Sequence, residues 1–233
     1  GYHLEQAYRY RTELGTADER TKALARRAGD HLYRCGLRAD ERDDFKAARA
    51  FLERSLDLLD GTELVRAMVL LAEIFDEDLS FPESLDTATR AVALATEFGD
   101  RRLALRAELV RASAIGQVDP TYTLGRARAD VEAALEELET VGEEEDRDRA
   151  LILLARFSFF EGRSVESAAI ATQLLERPSL TRRQRQEIAA EINTAAYFGA
   201  LPLDEAFVAL ERAEEIAGAS LSGEAMTLRT RAG

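Results

Sequence analysis

HLYRCGLRADERDDFKAARAFLERSLDLL (residues 31–59) and AMVLLAEIFDEDLSFPESLDTATRAVALA (residues 67–95) decide the fold, because they superimpose at an offset of 36 residues. In the first stretch Leu32, Cys35 and Gly36 share one helical face, and Ala48, Leu52 and Ser55 share a face of the following helix. In the second, Met68, Leu71 and Ala72 take the first set of places and Ser84, Ala88 and Ala91 the second. Small residues recurring at facing positions let neighbouring helices approach closely, the mark of stacked helical hairpins. An array of that kind is a binding surface before it is a catalyst.

Working outward, apolar residues keep three-to-four-residue spacing along the whole chain. Residues 2–14 read as a short helix closed by Gly15, and Thr16, with Glu19 three places on, reads as a capping box for helix 18–40. Helix 44–59 follows, then helices 62–76 and 81–98, the latter opened by a second box at Ser80 and Glu83 with Pro82 in its first turn. A third hairpin pairs helix 101–116 with a long helix that Asp119 and Pro120 start and that runs to about residue 141, carrying Ala127, Val131 and Ala134. A fourth carries Leu151, Leu154, Ala155 and Ser158 opposite Ser167, Ala171 and Leu174. A fifth, capped from Thr181, sets Ile188, Ile192, Ala195 and Ala196 against Ala206, Leu210 and Ala213. No strand-like alternation separates these segments. The expected fold is all-α, an α-solenoid of antiparallel hairpins, with a junction helix over 1–17, about five hairpins over 18–217 and the start of a truncated repeat over 218–233.

Bulk composition narrows the function. The net charge is −13, yet residues 1–60 balance 12 basic against 12 acidic side chains, so residues 61–233 carry the whole excess. An acidic segment is a poor ligand for phosphate backbones or anionic membranes, so neither nucleic acid nor membrane is an expected partner. No run reaches the roughly 18 apolar residues that cross a bilayer, and no secretory leader is visible. Cys35 is the single cysteine, which fits a reducing cytoplasm. Neither end reads as a natural terminus, because Gly1 leads straight into a helix and residues 224–231 begin another. The chain is expected to be cut from a longer polypeptide, with open ends that could pair into a homodimer.

The inventory of chemistry is thin. Lys22 and Lys46 follow no glycine-rich loop, so no phosphate cradle forms. His3 and His31 are the two histidines; His31 and Cys35 stand at i,i+4 and read as a packing pair rather than a nucleophile and base. Three or four convergent nitrogen or sulfur ligands for zinc are missing. No catalytic residue, metal or cofactor is expected. The acidic runs Asp76–Asp78 and Glu143–Asp146 read as a solvated loop and a helix start, respectively. Phe157, Phe159 and Phe160 crowd one helix and cannot all share one narrow face, so one of them is a candidate for an open groove.

The hairpin pattern resembles the tetratricopeptide repeat, a helix–turn–helix unit of about 34 residues. Residues 44–48 (DFKAA) and 51–56 (FLERSL) follow that repeat's order of a charged residue, an aromatic and an alanine, then a bulky and a small residue. The repeat's tryptophan is absent from every copy, its glycine survives only as Gly36, and its closing proline is mostly missing. The resemblance implies a right-handed superhelix whose first helices line a concave face. By repeat position that face would hold Asp30, Tyr33, Leu37, Arg66, Val69, Glu73, Arg149, Ile152, Arg156 and Phe159.

The amino end is more specific. Residues 1–10 (GYHLEQAYRY) with Glu13, Leu14 and Gly15, then residues 23–30 (ALARRAGD) and 201–206 (LPLDEA), resemble the repeat arm of large bacterial signalling ATPases. In such proteins a nucleotide-binding module precedes the arm, and the output domain is a class III adenylate/guanylate cyclase or a DNA-binding regulator. The resemblance implies a non-catalytic arm that takes a protein or peptide partner, or a small effector, on its concave face. A free-standing tetratricopeptide-like adaptor with no ATPase attached is the alternative.

Overall fold

The computed structural model describes residues 2–15, 18–178, 180 and 182–198, together with 204, 207, 208 and 211. Ten helices lie within residues 2–15, 18–178 and 182–198: α1 (Tyr2–Glu13), α2 (Glu19–Asp40), α3 (Phe45–Leu56), α4 (Gly61–Glu77), α5 (Phe81–Glu97), α6 (Arg101–Val118), α7 (Leu124–Val141), α8 (Glu144–Phe160), α9 (Ser164–Leu175) and α10 (Arg182–Phe198). No strand occurs among the described residues. The expected second helix of the fifth hairpin and the truncated repeat over 218–233 lie outside the described residues, apart from the four isolated positions.

The chain divides into two compact units, Gly1–Asp119 and Pro120–Gly233. In the first, α2 packs on α3, α4 on α5, and α5 on α6, giving two complete antiparallel hairpins and the leading helix of a third. One core, built from Ala39, Ala48, Leu52, Leu70, Leu71, Ile74 and Phe75, joins the first hairpin to the second. Another joins α4, α5 and α6 through Val65, Met68, Val69, Ala72, Ala88, Ala91, Ala95, Leu103, Ala104, Ala107 and Val110. Alanine dominates the α5 side of that core, so α5 can lie close to both neighbours. In the second unit α8 packs on α9 and α9 on α10 around Ile152, Ala171, Leu174, Leu175, Leu180, Ile188, Ala189 and Ile192.

The 36-residue register is kept by the turns. Asp43 and Leu79, 36 residues apart, both adopt φ of 59°. Behind each, a backbone N–H donates five residues back, from Asp44 to the Ala39 carbonyl at 3.0 Å and from Ser80 to the Phe75 carbonyl at 2.8 Å. This is the left-handed helix ending that usually takes glycine, as Gly99 and Gly162 do after α5 and α8 with φ of 72° and 78°. Leu79 carries a Cβ penalty there and is 71% exposed, so its side chain returns little packing. Leu79→Gly is expected to stabilise the first unit by about 0.5–1 kcal/mol, net of the entropy that glycine adds to the unfolded chain. A urea midpoint that falls on substitution would show that Leu79 packs more than its exposure suggests.

Three helix starts differ from the sequence expectation. The cap of α2 is Asp18, whose carboxylate accepts from the Thr21 N–H at 2.9 Å; Thr16, the expected cap, lies outside the described residues, as does Thr181 before α10. Ser80 makes no side-chain cap bond. Asp44 and Asp100, in similar backbone geometry, cap α3 and α6 with a carboxylate that reaches one bond further than a serine hydroxyl. Pro82, in the first turn as expected, leaves α5 one N–H fewer to satisfy. Asp119 and Pro120 do not start α7: the helix begins at Leu124 under a Thr123 cap, and residues 120–122 form a turn that buries Tyr122 against the Asp130 carboxylate. The acidic run at 143–146 is a helix start, where the Asp146 carboxylate accepts from the Glu143 N–H at 3.2 Å.

Two buried serines at the same place in their hairpins behave differently. Ser84 of α5 donates to the Ala72 carbonyl of α4 at 2.8 Å, tying the two helices together. Ser167 of α9 is equally buried, and its hydroxyl finds no partner among the described residues. Ser84→Ala should cost about 1 kcal/mol, whereas Ser167→Ala should be neutral or stabilising by a few tenths of a kcal/mol. Equal losses in chemical denaturation would show that Ser167 is hydrogen-bonded after all.

Candidate interaction faces

The leading helices of successive hairpins run side by side within each unit. In the first, α4 packs against both α2 and α6. Glu63, Arg66 and Glu73 of α4 and Arg106 of α6 all come into electrostatic range of Tyr33 of α2. The Arg106 guanidinium lies 3.6 Å from the buried Glu73 carboxylate, and the Ser113 hydroxyl donates to Asp76 at 2.9 Å. Burial pushes the Tyr33 phenol above its ordinary pKa, with Arg106 opposing that shift and Glu73 adding to it. The phenol therefore stays protonated, a neutral donor beside mixed charge.

Of the residues expected on this face, Asp30, Tyr33 and Leu37 are half-buried on α2, and Asp30 pairs with Arg34 at 3.0 Å. Arg66 is exposed and pairs loosely with Glu63 at 3.4 Å. Val69 lies wholly inside the core shared by α4, α5 and α6, so it offers a partner no surface in this packing. Leu37 leans on the neighbouring core between the hairpins. Arg106 and Ser113 of α6, which meet Glu73 and Asp76 of α4, escaped the sequence reading. Asp76 is a bonded group of the last turn of α4 rather than part of a solvated loop.

In the second unit, α8 and α10 pack side by side. Arg156 donates to Glu191 at 2.8 Å, and Phe159 meets Phe198 with ring centroids 6.4 Å apart. Phe159 also stands edge-on to Phe160 at 5.8 Å. The three phenylalanines of α8 separate as the helical pitch requires: Phe157 is core, Phe159 half-buried and Phe160 61% exposed. Arg149 is half-buried, while Ile152 belongs to the core and is withdrawn from any surface. Glu191 and Phe198 sit some 35–40 residues from the α8 residues they meet, a distance at which no local pattern signals the contact.

The second unit also holds an ionic knot. Arg128 of α7, 16% exposed, donates to Glu132 at 2.7 Å, to the Ser158 hydroxyl at 2.7 Å and to Glu166 at 2.9 Å. Arg163 pairs with Glu161 and, at 3.1 Å, with Glu166. A further arginine, Arg177, holds the fully buried Asp148. These groups fasten helices to one another.

His31 is exposed and Cys35 half-buried on α2. Among the described residues no three His, Cys, Asp or Glu side chains converge so as to hold a metal ion. No helix there is long and apolar enough to cross a membrane.

No family model matches the chain, and no curated protein matches it. Among solved structures it is similar to BtubC (BKLC) from P. vanneervenii, with 15% identity and a TM-score of 0.54 over 99% of this chain and 89% of that one. It is also similar to a Podosopora anserina kinesin light chain protein of nearly identical TPR-like repeats, with 16% identity and a TM-score of 0.48 over 80% of this chain and 93% of that one. With the hairpins and their 36-residue register, the first likeness places the fold in the class of tetratricopeptide-like helical repeats.

Proposed function

We propose that the chain is a non-catalytic protein-interaction module that takes a protein or peptide partner on the leading-helix faces of its hairpins. The observation that carries this reading is the row across α2, α4 and α6, where an aromatic hydroxyl, arginines and carboxylates are gathered on adjacent helices. Half-buried aromatic and arginine side chains are the usual anchors of protein interfaces. Tyr33 and Arg66 supply the reachable part of the row; Glu73 and Arg106 stiffen it from below. The amino-end resemblance extends the reading to the arm of a bacterial signalling ATPase, with partner binding coupled to the nucleotide module and its output domain. Such coupling requires the partner to bind two arrangements of the arm with different affinity.

The test is affinity capture with three forms of the chain: unaltered, Tyr33→Ala/Arg66→Glu, and Arg90→Glu on the exposed surface of α5. A partner retained by the first and third but lost from the second supports the leading-helix face; equal retention by all three sinks it. For the ATPase extension, limited proteolysis of the parent polypeptide with and without ATP should change cleavage within this arm. An unchanged pattern would leave the adaptor reading.

A further inference from the structure

Helix α1 is fastened differently from the other helices of its unit. Helices α2 to α6 each bury several apolar or small side chains. Among the described side chains of α1 the one that is buried is a carboxylate, Glu5, at 3% exposure. Leu4, Ala7 and Tyr8 are half-buried, and Tyr10 is exposed. Glu5 accepts from Arg54 of α3 and, at 2.9 Å, from Arg9 of its own helix. The hydrogen bond from Arg54 holds its carboxyl below the ordinary value. The second anchor is ionic too: Arg11 donates to Asp18 at 2.7 Å and to the Thr21 hydroxyl at 3.0 Å, at the start of α2.

This arrangement has a consequence for how α1 can leave. A carboxylate is tolerated out of water only while paired, so docking α1 and pairing Glu5 with Arg54 require each other. Little apolar burial holds the helix once the pair opens. A 12-residue helix is marginal on its own, so release also melts it. Hairpins α2/α3 and α4/α5 and helix α6 keep their cores, which contain no α1 residue.

We propose that α1 is an ionic latch: it docks on the first hairpin through Glu5–Arg54 and Arg11–Asp18, and releases as a unit, freeing the face of α2 it covers. Salt is the natural probe, because Arg54 and Asp18 are partly open to solvent and their pairs are screened.

Hydrogen exchange on the 233-residue chain tests it. In Arg54→Met and in Glu5→Gln, amides of α1 should exchange about tenfold faster or more, while those of α4 to α6 keep their protection. In the unaltered chain, raising salt from about 0.05 M to about 1 M should speed α1 exchange several-fold, with a smaller response in either variant. Unchanged α1 exchange in both variants, or salt-independent exchange in the unaltered chain, overturns the latch. So does parallel loss of protection through α4 to α6, which would make Glu5 a prop of the whole unit.

Discussion

Replacing Arg128 by alanine is expected to lower the stability of the second unit by about 3 kcal/mol. The guanidinium spans three helices, reaching Glu132 on α7, Ser158 on α8 and Glu166 on α9. Glu161 lies at 3.7 Å from it. Its removal leaves three carboxylates around a partly buried site with Arg163 alone to balance them. Like charges held together then oppose the packing of α7 on α8 and the turn into α9. Complete burial would justify up to about 5 kcal/mol, but Glu132 and Glu166 are roughly half and over a third exposed, and solvent takes part of the load. Lysine should recover only part of the loss, because one ammonium cannot face three acceptors in a fixed fork. Urea denaturation measures the loss, and hydrogen exchange should place it in α7–α9. A loss under about 1 kcal/mol would mean that the carboxylates are screened and that apolar contacts alone join these helices.

The repeat was legible because it rests on steric need at fixed spacing. Leu32, Gly36, Ala48, Leu52 and Ser55 and their counterparts Met68, Leu71, Ala72, Ser84, Ala88 and Ala91 are all buried, and Cys35 alone of the set is half-buried. Small residues at a period report backbone proximity directly. The Arg128 knot left no such trace: its partners on other helices lie 30 and 38 residues away, and an arginine with a glutamate four places on looks like any solvated pair of an amphipathic helix. Arg106 and Ser113 were missed for the same reason, since α6 breaks the alignment that assigned the face on α2 and α4. The turn at Leu79 hid because its residue is not the glycine that the conformation favours. Its equivalence to Asp43 shows in the torsion angles and in the backbone hydrogen bond behind each residue. Two supposed face residues, Val69 and Ile152, went to the core because repeat position fixes a helical direction but not what packs against it. A lone half-turn of error moves a side chain from groove to interior.

Gly36→Val is expected to cost about 3 kcal/mol, the second large effect in the chain. A Cβ built at Gly36 would lie 2.8 Å from Leu52 Cγ and 2.9 Å from Leu52 Cδ2. Leu52 is fully buried in the core that joins the two hairpins, so it cannot swing aside into solvent. Helices α2 and α3 must separate, and the strain passes to Leu71 and Ile74 beneath them. Helix propensity pulls the other way, since alanine in a helix is worth about 1 kcal/mol over glycine. Gly36→Ala should therefore lose only about 1 kcal/mol net, and valine more, with two extra methyl groups in the same gap. Gly116, inside α6, supplies the control: a Cβ there meets nothing within 4 Å, so Gly116→Ala should stabilise by about 0.5–1 kcal/mol. Leu52→Ala alone should cost about 3 kcal/mol, yet Gly36→Ala/Leu52→Ala should lose less than the sum, because the new methyl enters the space the leucine vacates. If Gly36→Ala stabilised as much as Gly116→Ala, the close approach of α2 and α3 would not be what keeps glycine at this position. The repeat's small residues would then reflect helix spacing set elsewhere, in the alanines of α5.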